Sequence, residues 1–129
     1  MFLDTETTGL GEDAEIIDIA IIDRHGRVLI DTLVRPSDII PPEVTAIHGL
    51  DDPAVADAPT WDNVYPLVGR ILDQYGPVVV YNAEFDARVI EQTNRLYGLP
   101  SFSVDWHCAM KQYAAYAGVW HDRYGTWRW

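Results

Sequence analysis

Two carboxylates stand close together near the N-terminus, at the end of a short apolar strand. Asp4 and Glu6 are two residues apart, so in an extended strand they point to one face while Thr5 points to the other. A Thr-Thr-Gly turn follows at once and ends the strand. A carboxylate pair in a buried setting is costly unless a positive charge lies between the two groups. The spacing therefore raises the question of which cation these side chains hold.

A third carboxylate follows the most apolar run of the chain. Residues 78–81 (VVVY) are typical of a strand buried on both faces, and Asp86 lies four residues beyond the Asn82 that ends it. If this strand is a parallel neighbour of the first, Asp86 reaches the same sheet edge as Asp4 and Glu6. Converging carboxylates raise one another's pKa values, and Mg²⁺ or Mn²⁺ would remove that repulsion. Two such ions about 4 Å apart are the usual device for in-line displacement at phosphorus.

The elements that position these acids alternate between strand and helix patterns. Strands are predicted over residues 2–6, 15–23, 28–36, 78–81 and, weakly, 102–105. Helices are predicted over residues 42–49, 60–74, 83–97 and 106–116. The second and third strands form an antiparallel hairpin in which Gly26 supplies a positive φ. This order predicts an α/β domain, a mixed β-sheet flanked by α-helices.

The charge balance is strongly acidic. Nine Lys and Arg stand against twenty Asp and Glu, which gives a formal net charge of −11. Proteins that bind nucleic acid usually present a basic face. Either the partner is not a polyanion, or divalent cations supply the missing positive charge.

Several classes of protein are excluded by what the chain lacks. Cys108 is the single cysteine, so there is no intrachain disulfide framework and no Cys-rich zinc site. Asp4 and Glu6 interrupt any N-terminal apolar segment, and no run approaches membrane-spanning length. We therefore expect a single domain in a cytoplasmic protein that does not contact a membrane.

Two quoted segments carry a family resemblance. The segments FLDTETTGL and YNAEFDARVI resemble the first two motifs of the DnaQ-like (DEDD) 3′–5′ exonucleases, and LVRP and TAIHGL lie between them as in that family. The resemblance covers most of the chain. It implies an RNase H-like fold and hydrolysis at a single-stranded DNA or RNA 3′ end by two divalent cations, Mg²⁺ or Mn²⁺. Nucleoside monophosphates would be released, and a DNA polymerase is a candidate partner.

The same resemblance assigns roles to individual residues. Asp4, Glu6 and Asp86 match the first three acids of the metal site and would be the catalytic residues. The residues matched to substrate binding are Thr7, Thr8, Gly9, Leu10, His48, Asn82 and Phe85. Phe85 would lie against a base or sugar, and His48 would border the nucleotide pocket.

The third motif of the family is absent from the sequence. That motif is His-x4-Asp or Tyr-x3-Asp, and no aspartate stands five residues after any histidine or four residues after any tyrosine. We therefore interpret residues 1–129 as one exonuclease domain from which the C-terminal part of the family domain is missing. A naturally degenerate member of the family is the alternative.

Other interpretations of these residues remain open. Asp4 and Glu6 could be solvated acids at a strand end, Asp86 a favourable acid in a first helical turn and Asn82 an N-cap. Phe85 could belong to the core and His48 to a loop hydrogen bond, and Asp18 and Asp105 are interpreted as structural. Three rival functions follow: a nucleic-acid- or metal-binding module that does not cut, a subunit that docks on a polymerase through its aromatic tail, and a phosphatase or oligoribonuclease for very short substrates.

Overall fold

A five-stranded mixed sheet lies at the centre of the computed structural model, which describes residues 1–118, 120, 121, 123 and 125–127. Its strands are β1 (Phe2–Thr7), β2 (Ile16–Ile22), β3 (Val28–Leu33), β4 (Val78–Val80) and β5 (Trp106–Cys108). They are ordered β3-β2-β1-β4-β5. β1 pairs antiparallel with β2 and parallel with β4. The predicted fold class, a mixed sheet in an α/β domain, is confirmed.

The predicted hairpin joins β2 and β3. The strands pair antiparallel, and Gly26 between them has φ 81°. The Asp23 carboxylate accepts the backbone N–H groups of His25 and Arg27 at 2.8 and 3.0 Å, which fixes the turn. Glycine is favoured at such a positive φ because it has no Cβ.

Five helices accompany the sheet in the described part of the chain. They are α1 (Pro42–His48), α2 (Asp52–Val55), α3 (Trp61–Tyr75), α4 (Ala83–Leu96) and α5 (Ala109–Ala117). α3 and α4 bury one apolar stripe each in the core that the sheet shares with them. The indole of Trp61 is fully buried and donates to Asn94 Oδ1 at 2.8 Å, so one hydrogen bond ties α3 to α4 inside the core.

The structure corrects the prediction around the last strand. Residues 102–105 are not a strand, and β5 occupies residues 106–108, where the predicted helix was expected to begin. The cause is pairing with β4, which aligns Val78 with Trp106 and Val80 with Cys108. α5 therefore starts only at Ala109.

Two short strands near the C-terminus form a second, two-stranded sheet. β6 (Trp120–His121) pairs antiparallel with β7 (Thr126–Trp127). Of the aromatic tail, residues 119–129, positions 119, 122, 124, 128 and 129 lie outside the described residues. Of the helices that the structure describes, none combines the length and the apolar character needed to cross a bilayer.

Candidate functional site

The first two carboxylates lie on one face of β1. The alternating burial of this strand places Leu3, Thr5 and Thr7 toward the core side and Asp4 and Glu6 on the other side. Asp4 is exposed and Glu6 is partly buried. The sequence prediction that these two acids share a face follows from strand geometry, and the structure has that arrangement.

Asp86 lies in the first turn of α4 and contacts β1 from the core side. Its carboxylate Oδ1 accepts a hydrogen bond from Thr5 Oγ1 at 2.9 Å, and the residue is only 6% exposed. The first turn is set by the Asn82 carbonyl, which accepts the N–H groups of Phe85 and Asp86. Asp86 therefore meets β1 through Thr5, the residue between the other two acids.

The environment of Asp86 disfavours its charge. The pKa of Asp86 is raised to about 6, chiefly by burial and to a smaller extent by the nearby charge of Asp4, while the hydrogen bond from Thr5 acts in the opposite direction. Asp4 is therefore close enough to act on Asp86 electrostatically, although the two side chains approach β1 from opposite sides. An acid that is both buried and close to another acid is typical of a functional site.

Asp18 is a fourth acid at this position. It stands directly opposite Glu6 in the antiparallel pairing of β1 with β2. Its pKa is raised, chiefly by burial, then by Asp31, with smaller effects from Glu6 and Asp4. Its Oδ1 is buried without a hydrogen-bond partner. Asp18 was interpreted as structural from the sequence, and it is the register of β1 against β2, which the sequence does not state, that places it beside Glu6.

The donor set has the chemistry of a Mg²⁺ or Mn²⁺ site. All four acids offer hard carboxylate oxygens, and one of those oxygens, Asp18 Oδ1, is buried and unpartnered. Among the residues that the structure describes, no three His, Cys, Asp or Glu side chains are grouped closely enough to hold an ion. The carboxylate oxygens therefore suit divalent cations chemically, but the described side chains are not close enough together to coordinate one.

The turn after β1 is fixed by its own threonines. Thr7 is buried and its hydroxyl donates to the Gly9 carbonyl at 2.7 Å. Thr8 exchanges two hydrogen bonds with Glu15, one through its backbone N–H and one through its hydroxyl oxygen, each at 2.9 Å. Leu10 is 78% exposed at the tip. The turn thus presents an apolar side chain to solvent on an ordered backbone.

The remaining predicted substrate residues are placed in different ways. Asn82 stands at the N-cap position of α4, as the N-cap interpretation expects, and its side chain makes no capping hydrogen bond. Phe85 is partly buried and packs against the core. His48 Nδ1 accepts the N–H of Leu50 at 3.0 Å, as the loop interpretation expects, and its Nε2 is buried without a partner.

Comparison with known proteins finds exonucleases. A family profile described as Exonuclease (RNase_T) matches residues 1–118. An uncharacterized exonuclease, CP81 of Escherichia phage 186, is 47% identical over 124 residues, which cover 92% of this chain and 63% of that protein. Exodeoxyribonuclease 10 of Escherichia coli K12 is 37% identical over 114 residues, covering 84% of this chain and 44% of the relative. The chain therefore spans less than two thirds of the length of either relative.

A polymerase subunit and a solved structure extend this comparison. The DNA polymerase III subunit epsilon of Treponema pallidum is 35% identical over 92 residues, which cover 67% of this chain and 42% of that protein. The structure of exonuclease X in complex with 5′ overhanging duplex DNA superimposes with a TM-score of 0.65 at 32% identity, covering 96% of this chain and 68% of that one. The predicted RNase H-like fold is confirmed by this similarity.

Proposed function

The chain belongs to the exonuclease family whose profile covers residues 1–118, and from this premise we propose that it hydrolyses phosphodiester bonds at single-stranded 3′ ends and releases nucleoside monophosphates. The observation that carries the proposal is the position of Asp86. This buried acid is bonded to Thr5 between Asp4 and Glu6, and its pKa is raised to about 6 by burial and by Asp4. An arrangement that costs stability in this way is expected where a cation is bound.

Each group of residues has a separate task in this proposal. Asp4, Glu6 and Asp86 would hold two divalent cations, Mg²⁺ or Mn²⁺. Such ions, when bound, lower the pKa of a water and stabilise the leaving oxygen. Glu6 would also lie near the attacking water.

The turn after β1 and the start of α4 would hold the terminal nucleotide. The backbone of Thr7–Leu10 is ordered by its own hydrogen bonds, and the exposed Leu10 side chain offers an apolar contact. Phe85 would lie against a base or sugar, beside Asn82, and His48 would border the nucleotide pocket.

The relatives favour DNA as the substrate. One relative is named an exodeoxyribonuclease, and another was solved with 5′ overhanging duplex DNA. The net charge of −11 supports a reaction in which bound cations, more than lysine and arginine, hold the phosphate. We therefore expect weak substrate affinity and low processivity for the chain alone.

The test is a time course with 5′-labelled DNA substrates in Mg²⁺ and in Mn²⁺. A single-stranded oligonucleotide and a 5′ overhanging duplex are compared, with an RNA oligonucleotide as a third substrate. The proposal expects a ladder that shortens from the 3′ end and disappears with Asp4→Ala. Asp4 is exposed, so this variant should fold as well as the wild type. Intact substrates with the folded wild type, or products that shorten from the 5′ end, would contradict the proposal.

A second candidate function is a binding subunit that does not cut. It is favoured by the fact that the acids of the described residues do not form a ligand cluster. A relative that is a subunit of DNA polymerase III makes a polymerase the candidate partner. Binding of an oligonucleotide without turnover, unchanged by Asp4→Ala, would support this candidate against the first.

A further inference from the structure

Arg88 connects two parts of the proposed nucleotide pocket, the turn after β1 and Phe85. It lies on α4, two residues after Asp86, and its guanidinium reaches the turn that follows β1. Its Nη2 donates to the Leu10 carbonyl and its Nη1 to the Gly11 carbonyl, each at 3.3 Å. The same group lies over the ring of Phe85, 5.4 Å from its centroid. One side chain therefore contacts both the turn and the aromatic residue assigned to the substrate.

Gln92 also donates hydrogen bonds to this turn. It is 8% exposed, and its Oε1 accepts from Arg88 Nη1 at 3.0 Å. Its Nε2 donates to the carbonyls of Gly11 at 3.1 Å and Ala14 at 3.4 Å. Because Arg88 and Gln92 are four residues apart, they share one face of α4. Together they hold both ends of the segment from Leu10 to Ala14.

Arginine is suited to contacting the turn and the Phe85 ring at the same time. A planar guanidinium can donate to two neighbouring carbonyls while it stacks over an aromatic ring, and a lysine ammonium cannot reproduce that geometry. The partners are backbone carbonyls and an amide, so the contact orders the chain without neutralising an acid.

We propose that Arg88 is a positioning residue that fixes the turn of Thr7–Gly11 against Phe85, with Gln92 as its second anchor. The inference rests on the proposed function of that turn in nucleotide binding. Arg88 acts through the turn and the ring, and it does not itself contact the phosphate.

The first test compares steady-state kinetics of Arg88→Ala, Arg88→Lys and Arg95→Ala on a single-stranded DNA oligonucleotide. Arg95 is exposed on the same helix, so its replacement matches the loss of one positive charge. We expect Arg88→Ala to raise KM by about tenfold and to leave kcat within about twofold, because the pocket is displaced while the acids stay in place. Arg88→Lys should remain impaired, and Arg95→Ala should match the wild type.

The salt dependence of binding separates positioning from a phosphate contact. Loss of one phosphate contact to a single strand reduces the slope of log K against log[salt] by about 0.7. Positioning predicts an unchanged slope for Arg88→Ala. A reduced slope together with full rescue by Arg88→Lys would overturn the proposal.

A third measurement does not depend on activity. Hydrogen exchange of the Thr8 and Ala14 amides, which bond to Glu15 and Gly11 within the turn, should accelerate in Arg88→Ala and not in Arg95→Ala. Unchanged exchange in Arg88→Ala would overturn the positioning role. If the wild type cuts no substrate, the proposed function fails, and exchange alone decides whether Arg88 fixes the turn.

Discussion

Replacing Asp86 with asparagine should stabilise the metal-free protein at neutral pH while it removes nuclease activity. The folded-state pKa of about 6 lies above the ordinary aspartate value of 3.8. Between these two values the folded protein binds more protons than the unfolded chain, so the free energy of unfolding falls as the pH rises through this window. The full difference is about two pH units, or about 3 kcal/mol.

The measurement is urea unfolding of wild type and Asp86→Asn in EDTA at pH 5 and at pH 7.5. Both values lie above the isoelectric point near 4.4, where solubility is poorest. About half of the full 3 kcal/mol difference falls between pH 5 and pH 7.5. The free energy of unfolding of the wild type should therefore fall by about 1.4 kcal/mol relative to that of the variant. The Thr5 hydroxyl can still donate to the amide oxygen of the new side chain, so the local packing should be kept.

An exposed aspartate provides the matched control. Asp57→Asn makes the same chemical change outside the site, and its stability should stay parallel to that of the wild type across the pH range. Parallel curves for Asp86→Asn would refute the reasoning, because they would mean that the Asp86 carboxylate is not desolvated. A wild type that gains stability over the variant as the pH rises would refute it as well.

Three further predictions concern packing and charge. Trp61→Phe should lower the free energy of unfolding in urea by about 2 kcal/mol, since it leaves Asn94 Oδ1 buried without its donor; a loss below about 0.5 kcal/mol would contradict this. Glu15→Ala should lower the free energy of unfolding by about 2–3 kcal/mol in the same assay, because the buried Glu15 carboxylate accepts hydrogen bonds from the Ser37 N–H at 2.9 Å and from the Ser37 hydroxyl at 2.6 Å. Glu15→Gln should lower it less. Oligonucleotide binding by fluorescence anisotropy should show a log K against log[salt] slope no steeper than about −2, as expected for three phosphate contacts or fewer, and a slope near −5 would contradict a substrate held chiefly by cations.

The elements with a clear period were predictable from the sequence. The hairpin of β2 and β3 and the amphipathic α4 follow from hydrophobic alternation and spacing, which depend on local geometry alone. β5 was not predictable, because a three-residue strand is chosen by its parallel partner β4 and not by its own pattern. α2 is a single turn of four residues that includes Pro53, which is too short to show a helical period.

The candidate site divides in the same way. The shared face of Asp4 and Glu6 follows from strand alternation, which the sequence states directly. The place of Asp18 depends on register, and a bulge between Glu6 and Thr7 shifts that register in a way no residue pattern reveals. Arg88 was missed because its partners are carbonyls of a turn, whose path is decided only when the sheet and α4 have packed.

The spacing along α4 makes this helix sensitive to insertion and deletion. It carries Asp86 toward Thr5 and both Arg88 and Gln92 toward the turn after β1. Each added residue turns the rest of a helix by about 100°. One residue inserted between Asp86 and Arg88 would swing both anchors away from the turn while the apolar stripe beyond them left the core. We therefore expect length changes in this chain to be tolerated in the loop before α3 and excluded from α4, where the proposed substrate contacts and the buried stripe depend on the same helical spacing.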